Sequence, residues 1–200
     1  MKESPYRVLA ISGSLRAQSS NTDALRAAAM VAPPSIKVTL FEGVGSLPHF
    51  NPDLDLAGSD VPVSVHYFRT QIGSADGLLI CSPEYAHGVP GSLKNALDWL
   101  VSAPEMLYKP VVLLNISSRA TYAYAALAET LRTMSTVLVE TNPIDLPPAG
   151  KPRDPASIAA APEFATRVRR DFDALTERMR EYVALRPSLI AAALDAGVPR

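Results

Sequence analysis

The chain has 200 residues, 48% of them apolar and 20% charged, with 19 basic and 20 acidic side chains for a net charge of −1. That is an ordinary globular composition, long enough for one domain with a good core, and it offers no field of one sign to recruit nucleic acid or an anionic membrane. A single cysteine, Cys81, excludes an intramolecular disulfide; with no basic-then-apolar leader and no apolar run of about 18 to 20 residues, the expectation is a cytoplasmic protein with neither nucleic-acid nor membrane partners.

The pattern begins with a short buried-strand run, Arg7 to Ile11, that ends in Ser12-Gly-Ser14. Thr22 to Val31 is alanine-rich and reads as a helix stopped by Pro33-Pro34. Ile36 to Phe41 is a second strand, 43–61 a loop with Pro48, Pro52, Gly58 and several Asp, and Val63 to Ile72 a helix. Ala75 to Cys81 is a third strand whose Gly-Leu-Leu-Ile core lacks alternation, as suits burial on both faces. Leu93, Ala96, Leu97, Leu100 and Val101 then form one apolar helical stripe. Pro110 to Ile116 is a fourth strand, Tyr122 to Met134 a fourth helix and Thr136 to Val139 a short fifth strand. A proline-rich connection over 141–156 leads to a long helix, Glu163 to Leu185, and a tail, 186–200, with helix character after Pro187. Residues 1–185 are read as one domain with 186–200 as its tail.

Strands alternating with helices imply a parallel sheet covered on both faces. Ligands of such sheets sit beyond the carboxyl ends of the strands, at the switch point. The loop after the first strand, Gly13-Ser-Leu-Arg-Ala-Gln-Ser-Ser-Asn-Thr22, has one glycine and no GK[ST], so it is neither a Walker loop nor a dinucleotide fingerprint. It still has the parts of a monophosphate cradle: short donors at Ser14, Ser19, Ser20, Asn21 and Thr22, the guanidinium of Arg16, and a helix start behind them. A polar loop with a capping serine explains it equally well. The loop after the third strand, Ser82 to Trp99, carries Pro83 and Pro90 as stiffeners. Gly88 and Gly91 would permit close backbone approach, and Tyr85 and His87 stand where a planar ring could lie. A structural turn before a helix is the alternative, and it accounts for Pro90 but poorly for the aromatic and the imidazole.

Together the two loops resemble the NADPH-dependent FMN reductase family, which includes flavin, quinone, chromate and azo reductases. Its first signature, GSxRxxSxN, is met by Gly13, Ser14, Arg16, Ser19 and Asn21. Its second is met by Pro83, Glu84, Tyr85, Pro90, Gly91, Leu93, Lys94, Asn95, Ala96, Asp98 and Trp99, about 70 residues on, and the likeness runs over about 6–140. The resemblance implies a flavodoxin-like three-layer α/β sandwich with a five-stranded parallel sheet of order 2-1-3-4-5. It implies FMN with its phosphate on the first loop and its ring against Pro83, Glu84, Tyr85, Ala86, His87 and Gly88, partly through backbone atoms. Ser117 and Ser118 would donate to the ring's pyrimidine edge.

The activity implied is transfer of electrons from NADPH or NADH, through FMN, to a small-molecule acceptor: a flavin, quinone, azo compound or metal oxyanion. No catalytic side chain is expected, because the flavin carries the hydride. A non-catalytic electron carrier or a regulatory flavoprotein is the alternative. A homodimer or tetramer is also implied, with the helix containing Leu97, Trp99 and Leu100 at or near the interface, since Trp99 lies off the apolar stripe. Ala86 and Gly88 depart from the family's usual Asn and Ser, and Asn115 to Tyr122 replaces a glycine-rich turn, with Arg119 and Tyr122 reshaping the rim. Cys81 reads as a small buried hydrophobe. His49, His66 and His87 form no metal motif. Lys94 and Asp98 read as a helix-surface pair, and Arg167, Arg169 and Arg170 as a solvated face.

Overall fold

The structure, a computed structural model, describes residues 4–56, 60–139, 141–146 and 154–195. Gly58, Pro147, Pro148, Pro152 and residues 196–200 of the expected tail lie outside the described residues.

Five strands, β1 (Tyr6–Ser12), β2 (Ile36–Phe41), β3 (Gly77–Cys81), β4 (Pro110–Leu113) and β5 (Val137–Val139), form one sheet in the order β2-β1-β3-β4-β5. All four pairings are parallel, with Leu9 beside Leu78 and Leu79 beside Val112. This is the 2-1-3-4-5 order expected. Alternate strand residues feed two cores. Leu9, Ile11, Leu78, Ile80 and Val111 meet α2 (Val63–Ser74), α3 (Gly91–Asp98) and α4 (Thr121–Thr133). Val8, Ala10, Leu79, Cys81 and Val112 meet α1 (Ser20–Val31), α5 (Pro155–Ala160) and α6 (Pro162–Asp195). Both faces are thus buried, which is why the central strands read as continuous apolar runs.

Several expectations need correction. The fourth strand ends at Leu113 rather than Ile116, so 114–120 is available as a loop. The third helix ends at Asp98, and Val101 is 67% exposed, so it does not belong to the apolar stripe. Trp99 is fully buried within this chain, as are Leu97 and Leu100, and offers nothing to a partner. The proline-rich connection hides the short helix α5, started by Asp154 accepting from Ser157 N at 3.0 Å. The last helix runs through Pro187 to Asp195 instead of ending at Leu185. Arg167 is no solvated charge: it pairs at 2.9 Å with Asp171, whose carboxyl is buried and whose pKa that burial raises.

Lys109, before β4, was not foreseen as special. It is fully buried, and its Nζ donates to Ile72 O and Ala75 O, both at 2.8 Å, beneath the Tyr182 ring. A neutral amine has two N–H donors, and two carbonyls take them. Burial pushes the Lys109 pKa down to about 7.

Candidate functional site

An open cavity of about 420 Å³ lies past the carboxyl ends of β1, β3 and β4, at the β1–β3 switch. It is lined by Ser20 and Asn21 of α1, by Ser82, Pro83 and Glu84, by Asn115, Ile116, Ser117, Arg119 and Ala120, and by Asp145 and Leu146.

The α1 end is prepared by the polar residues before it. Ser19 is the N-cap, extended at φ −120° and ψ 118°, and its Oγ accepts from Thr22 N at 3.4 Å. Asp23 N donates to Ser19 O at 2.9 Å. The first two helical N–H groups, of Ser20 and Asn21, are left without an intrahelical acceptor, and both residues line the cavity. Such amides, at the positive end of the helix dipole, suit a phosphate. Ser14 is buried: its N donates to Ser12 Oγ at 3.2 Å and its Oγ accepts from Arg16 N at 3.4 Å, while Thr22 Oγ1 pairs with Ser12 Oγ at 2.8 Å. The oxygens of Ser14 and Ser19 in the first signature, and of Thr22 just after it, thus also hold the loop itself. Arg16 is exposed and outside the lining.

Gly13 explains itself by proximity. A Cβ there would sit 2.4 Å from Ser82 Oγ and 2.9 Å from Ser82 Cβ, so only glycine lets the loops after β1 and β3 meet. The protein's own packing does not demand glycine at Gly88 or Gly91: a Cβ would find ordinary contact at 3.6 Å from Tyr85 O at the first and open space at the second.

The second signature divides its labour. Pro83 and Glu84 line the cavity, and Glu84 Oε2 accepts from Ala123 N in the first turn of α4 at 2.9 Å. Tyr85 to Gly88 form a tight reversal, closed by Tyr85 N to Gly88 O at 3.1 Å and Gly88 N to Tyr85 O at 2.9 Å. Ala86 (φ 48°) and His87 (φ 59°) occupy its left-handed positions. This is the two-residue turn that asparagine and glycine make cheaply, and here it carries strain. Tyr85, Ala86, His87 and Gly88 stand on the rim, outside the lining; His87 stacks on Tyr122 with centroids 4.3 Å apart.

Farther along, Asn95 Nδ2 and Trp99 Nε1 both donate to Pro48 O, at 2.9 and 2.8 Å, and Phe50 N donates to Asn95 Oδ1 at 2.7 Å. These motif residues pin the loop after β2, which in turn touches the loop after β1, since a Cβ at Gly45 would lie 3.1 Å from Leu15. Lys94 and Asp98 form the surface ion pair expected.

On the opposite wall, Asn115 Oδ1 accepts from Ser117 N at 3.1 Å. Ser118 is committed elsewhere: its N and Oγ donate to the Asp145 carboxylate at 2.6 and 2.7 Å, and these bonds hold the Asp145 pKa low. Ser117 remains a lining residue. Asp145, Leu146, Asn115, Ile116, Ser82 and Ala120 escaped the sequence reading. The rule that sheet ligands lie past strand ends, applied to β5 as well, would have found the 141–146 segment. Cys81 donates its thiol to Asn21 Oδ1 at 3.2 Å and is fully buried, which pushes its pKa up, so it packs as expected of a small hydrophobe.

The cavity fits FMN on its own geometry: free helix-start amides, a glycine where two loops must touch, and polar donors across the cleft. No helix among the described residues is long and apolar enough to cross a membrane. The chain is 40% identical over 114 residues to an NAD(P)H-dependent FMN reductase of Pseudomonas aeruginosa, covering 56% of this chain and 60% of that one. It is 36% identical over 109 residues to a quinone reductase of Escherichia coli, covering 54% and 57%. The chain thus aligns with less than two thirds of the length of these curated relatives. Among solved structures, the flavoenzyme NAD(P)H:(acceptor) oxidoreductase FerB of Paracoccus denitrificans superposes with a TM-score of 0.70 at 25% identity, covering 88% of this chain and 98% of that one. The model of the NADPH-dependent FMN reductase family matches residues 6–149, and the chain belongs to that family.

Proposed function

We propose that this chain is an FMN-dependent oxidoreductase that takes electrons from NADPH or NADH and delivers them to a small acceptor: a flavin, quinone, azo compound or metal oxyanion. The observation that carries the reading is the meeting of the free α1 amides with an open cavity at the sheet's switch point. Ser20 and Asn21 would hold the FMN phosphate through their backbone N–H groups. Pro83, Glu84, Asn115 and Ser117 would flank the rest of the cofactor, and Tyr85, His87 and Tyr122 would border the mouth where the second substrate arrives. Bound there, the flavin supplies hydride acceptance and electron release, and the protein supplies position and access.

A cytoplasmic homodimer or tetramer is proposed from the resemblance, with an interface made by other residues than Leu97, Trp99 and Leu100. The purified protein, given FMN, NADPH and a benzoquinone, should oxidise NADPH in a reaction that needs all three. FMN uptake without turnover would mark an electron carrier or regulator, and the enzymatic reading would be withdrawn.

A further inference from the structure

Helix α4 lacks a cap of its own. Its N-cap is Ala120, at φ −85° and ψ 64°, with no side-chain hydrogen bond. The cap comes from another part of the chain, since Glu84 Oε2 takes Ala123 N at 2.9 Å across 39 residues of sequence. A carboxylate at this place also faces the positive end of the helix dipole. Three residues on, His87 stacks on Tyr122, so the same turn meets α4 twice. Glu84 belongs to the wall after β3, and Asn115, Ser117, Arg119 and Ala120, just before α4, make the facing wall. That facing wall is tied at its root by Asn115 and at its side by Asp145. Toward the β3 loop, the hydrogen bond from Ala123 N to Glu84 Oε2 joins the two walls.

We infer that Glu84 is a positioning residue whose carboxylate braces the two walls of the cavity through the first turn of α4 and so sets the width of the cleft. The inference rests on the FMN reading above. On this account Glu84 acts on the cofactor through α4 and not by side-chain contact. The requirement is for an acceptor oxygen, which an amide provides.

The test uses three full-length proteins, wild type, Glu84→Ala and Glu84→Gln, titrated without bound cofactor against FMN by fluorescence. Amide exchange at Ala123 and thermal melting are followed in parallel. Glu84→Ala should weaken FMN roughly five- to tenfold, the scale of a lost cap, and deprotect the Ala123 amide. Glu84→Gln should restore both to within about twofold, because its Oε1 accepts the same bond. Equal losses of FMN affinity in the two variants, with Ala123 still protected in Glu84→Gln, would mean that the carboxylate meets the cofactor, and the brace would be rejected. A lowered melting temperature in Glu84→Ala with unchanged FMN affinity would reduce it to a structural cap and also overturn the inference. If the wild type itself takes up no FMN, the functional reading fails, while the exchange of Ala123 still reports on the brace separately.

Discussion

The two ends of the sheet use their polar groups in opposite ways. At the amino end the groups are spent on one another. Asp76 accepts from Arg7 N at 2.8 Å, Lys109 serves two carbonyls of the α2 terminus, and Arg186 reaches Gly73 O. At the carboxyl end, Ser20 and Asn21 keep backbone donors free, and the polar side chains around them hold loops rather than close the cavity. The closed end contributes stability and the open end is fitted to a ligand. Substitutions at one end should therefore leave the property of the other untouched.

Lys109→Met should show the largest effect. It leaves the buried Ala75 O without its donor and takes from Ile72 O one of its two, Ala75 N being the other, and should cost about 2–4 kcal/mol of unfolding free energy at pH 9. The sign of its pH dependence follows from the depressed pKa: the folded state prefers the neutral amine, while the unfolded chain stays protonated up to its ordinary 10.5. Wild-type stability from this group should rise between pH 7 and 10, by roughly 1 kcal/mol per pH unit, and the variant should lack that rise. Urea unfolding at pH 7 and 9 measures the gap, which should widen at the higher pH. FMN affinity of the folded variant should match the wild type.

Ser20→Pro makes the converse cut. Proline suits the first helical position, and Ser19 before it is already extended, so the fold should tolerate the change. One of the two free amides disappears. FMN should bind more weakly by about 1.5–3 kcal/mol, the scale of a charge-assisted hydrogen bond, with riboflavin affinity and melting temperature unchanged. Equal losses for FMN and riboflavin would show that the α1 terminus does not hold the phosphate.

Trp99→Phe probes a motif residue that points at neither end. It deletes the bond to Pro48 O while Asn95 still reaches the same carbonyl. A loss of about 1–2 kcal/mol is expected, with no change of oligomeric state by light scattering. Dissociation of an oligomer would return Trp99 to an interface role. The smallest effect belongs to Ala86→Gly, which relieves the left-handed strain at φ 48° and should stabilise by up to about 1 kcal/mol in thermal melts.

The five strands, most of the flanking helices and the two loops that border the cavity are legible in the sequence, because buried parallel strands and polar strand-end loops leave strong local patterns; the strand order came from the family resemblance, and α5 was hidden among prolines. Individual contacts were harder to read. Ser14, Ser19 and Thr22 look like ligand donors in sequence; in the structure the oxygens of Ser14 and Ser19 also accept from backbone N–H groups, and Thr22 pairs with Ser12, local contacts that composition alone does not reveal. Tyr85 and His87 stand on the rim and not in the lining, since a two-residue turn lifts them clear of it. Trp99 lay off the stripe because it faces Pro48 and Phe50, a contact made through a loop 51 residues earlier that no periodicity encodes. Asp145 was missed for the same reason: its partner, Ser118, lies 27 residues away.

The most direct test of the central claim is an equilibrium titration of the cofactor-free protein with FMN and, separately, with riboflavin, followed by flavin fluorescence. A cavity that ends on the free amides of Ser20 and Asn21 predicts micromolar or tighter FMN binding and a preference for FMN over riboflavin of about tenfold or more. No uptake of FMN at micromolar concentration, or equal affinity for the two flavins, would contradict it.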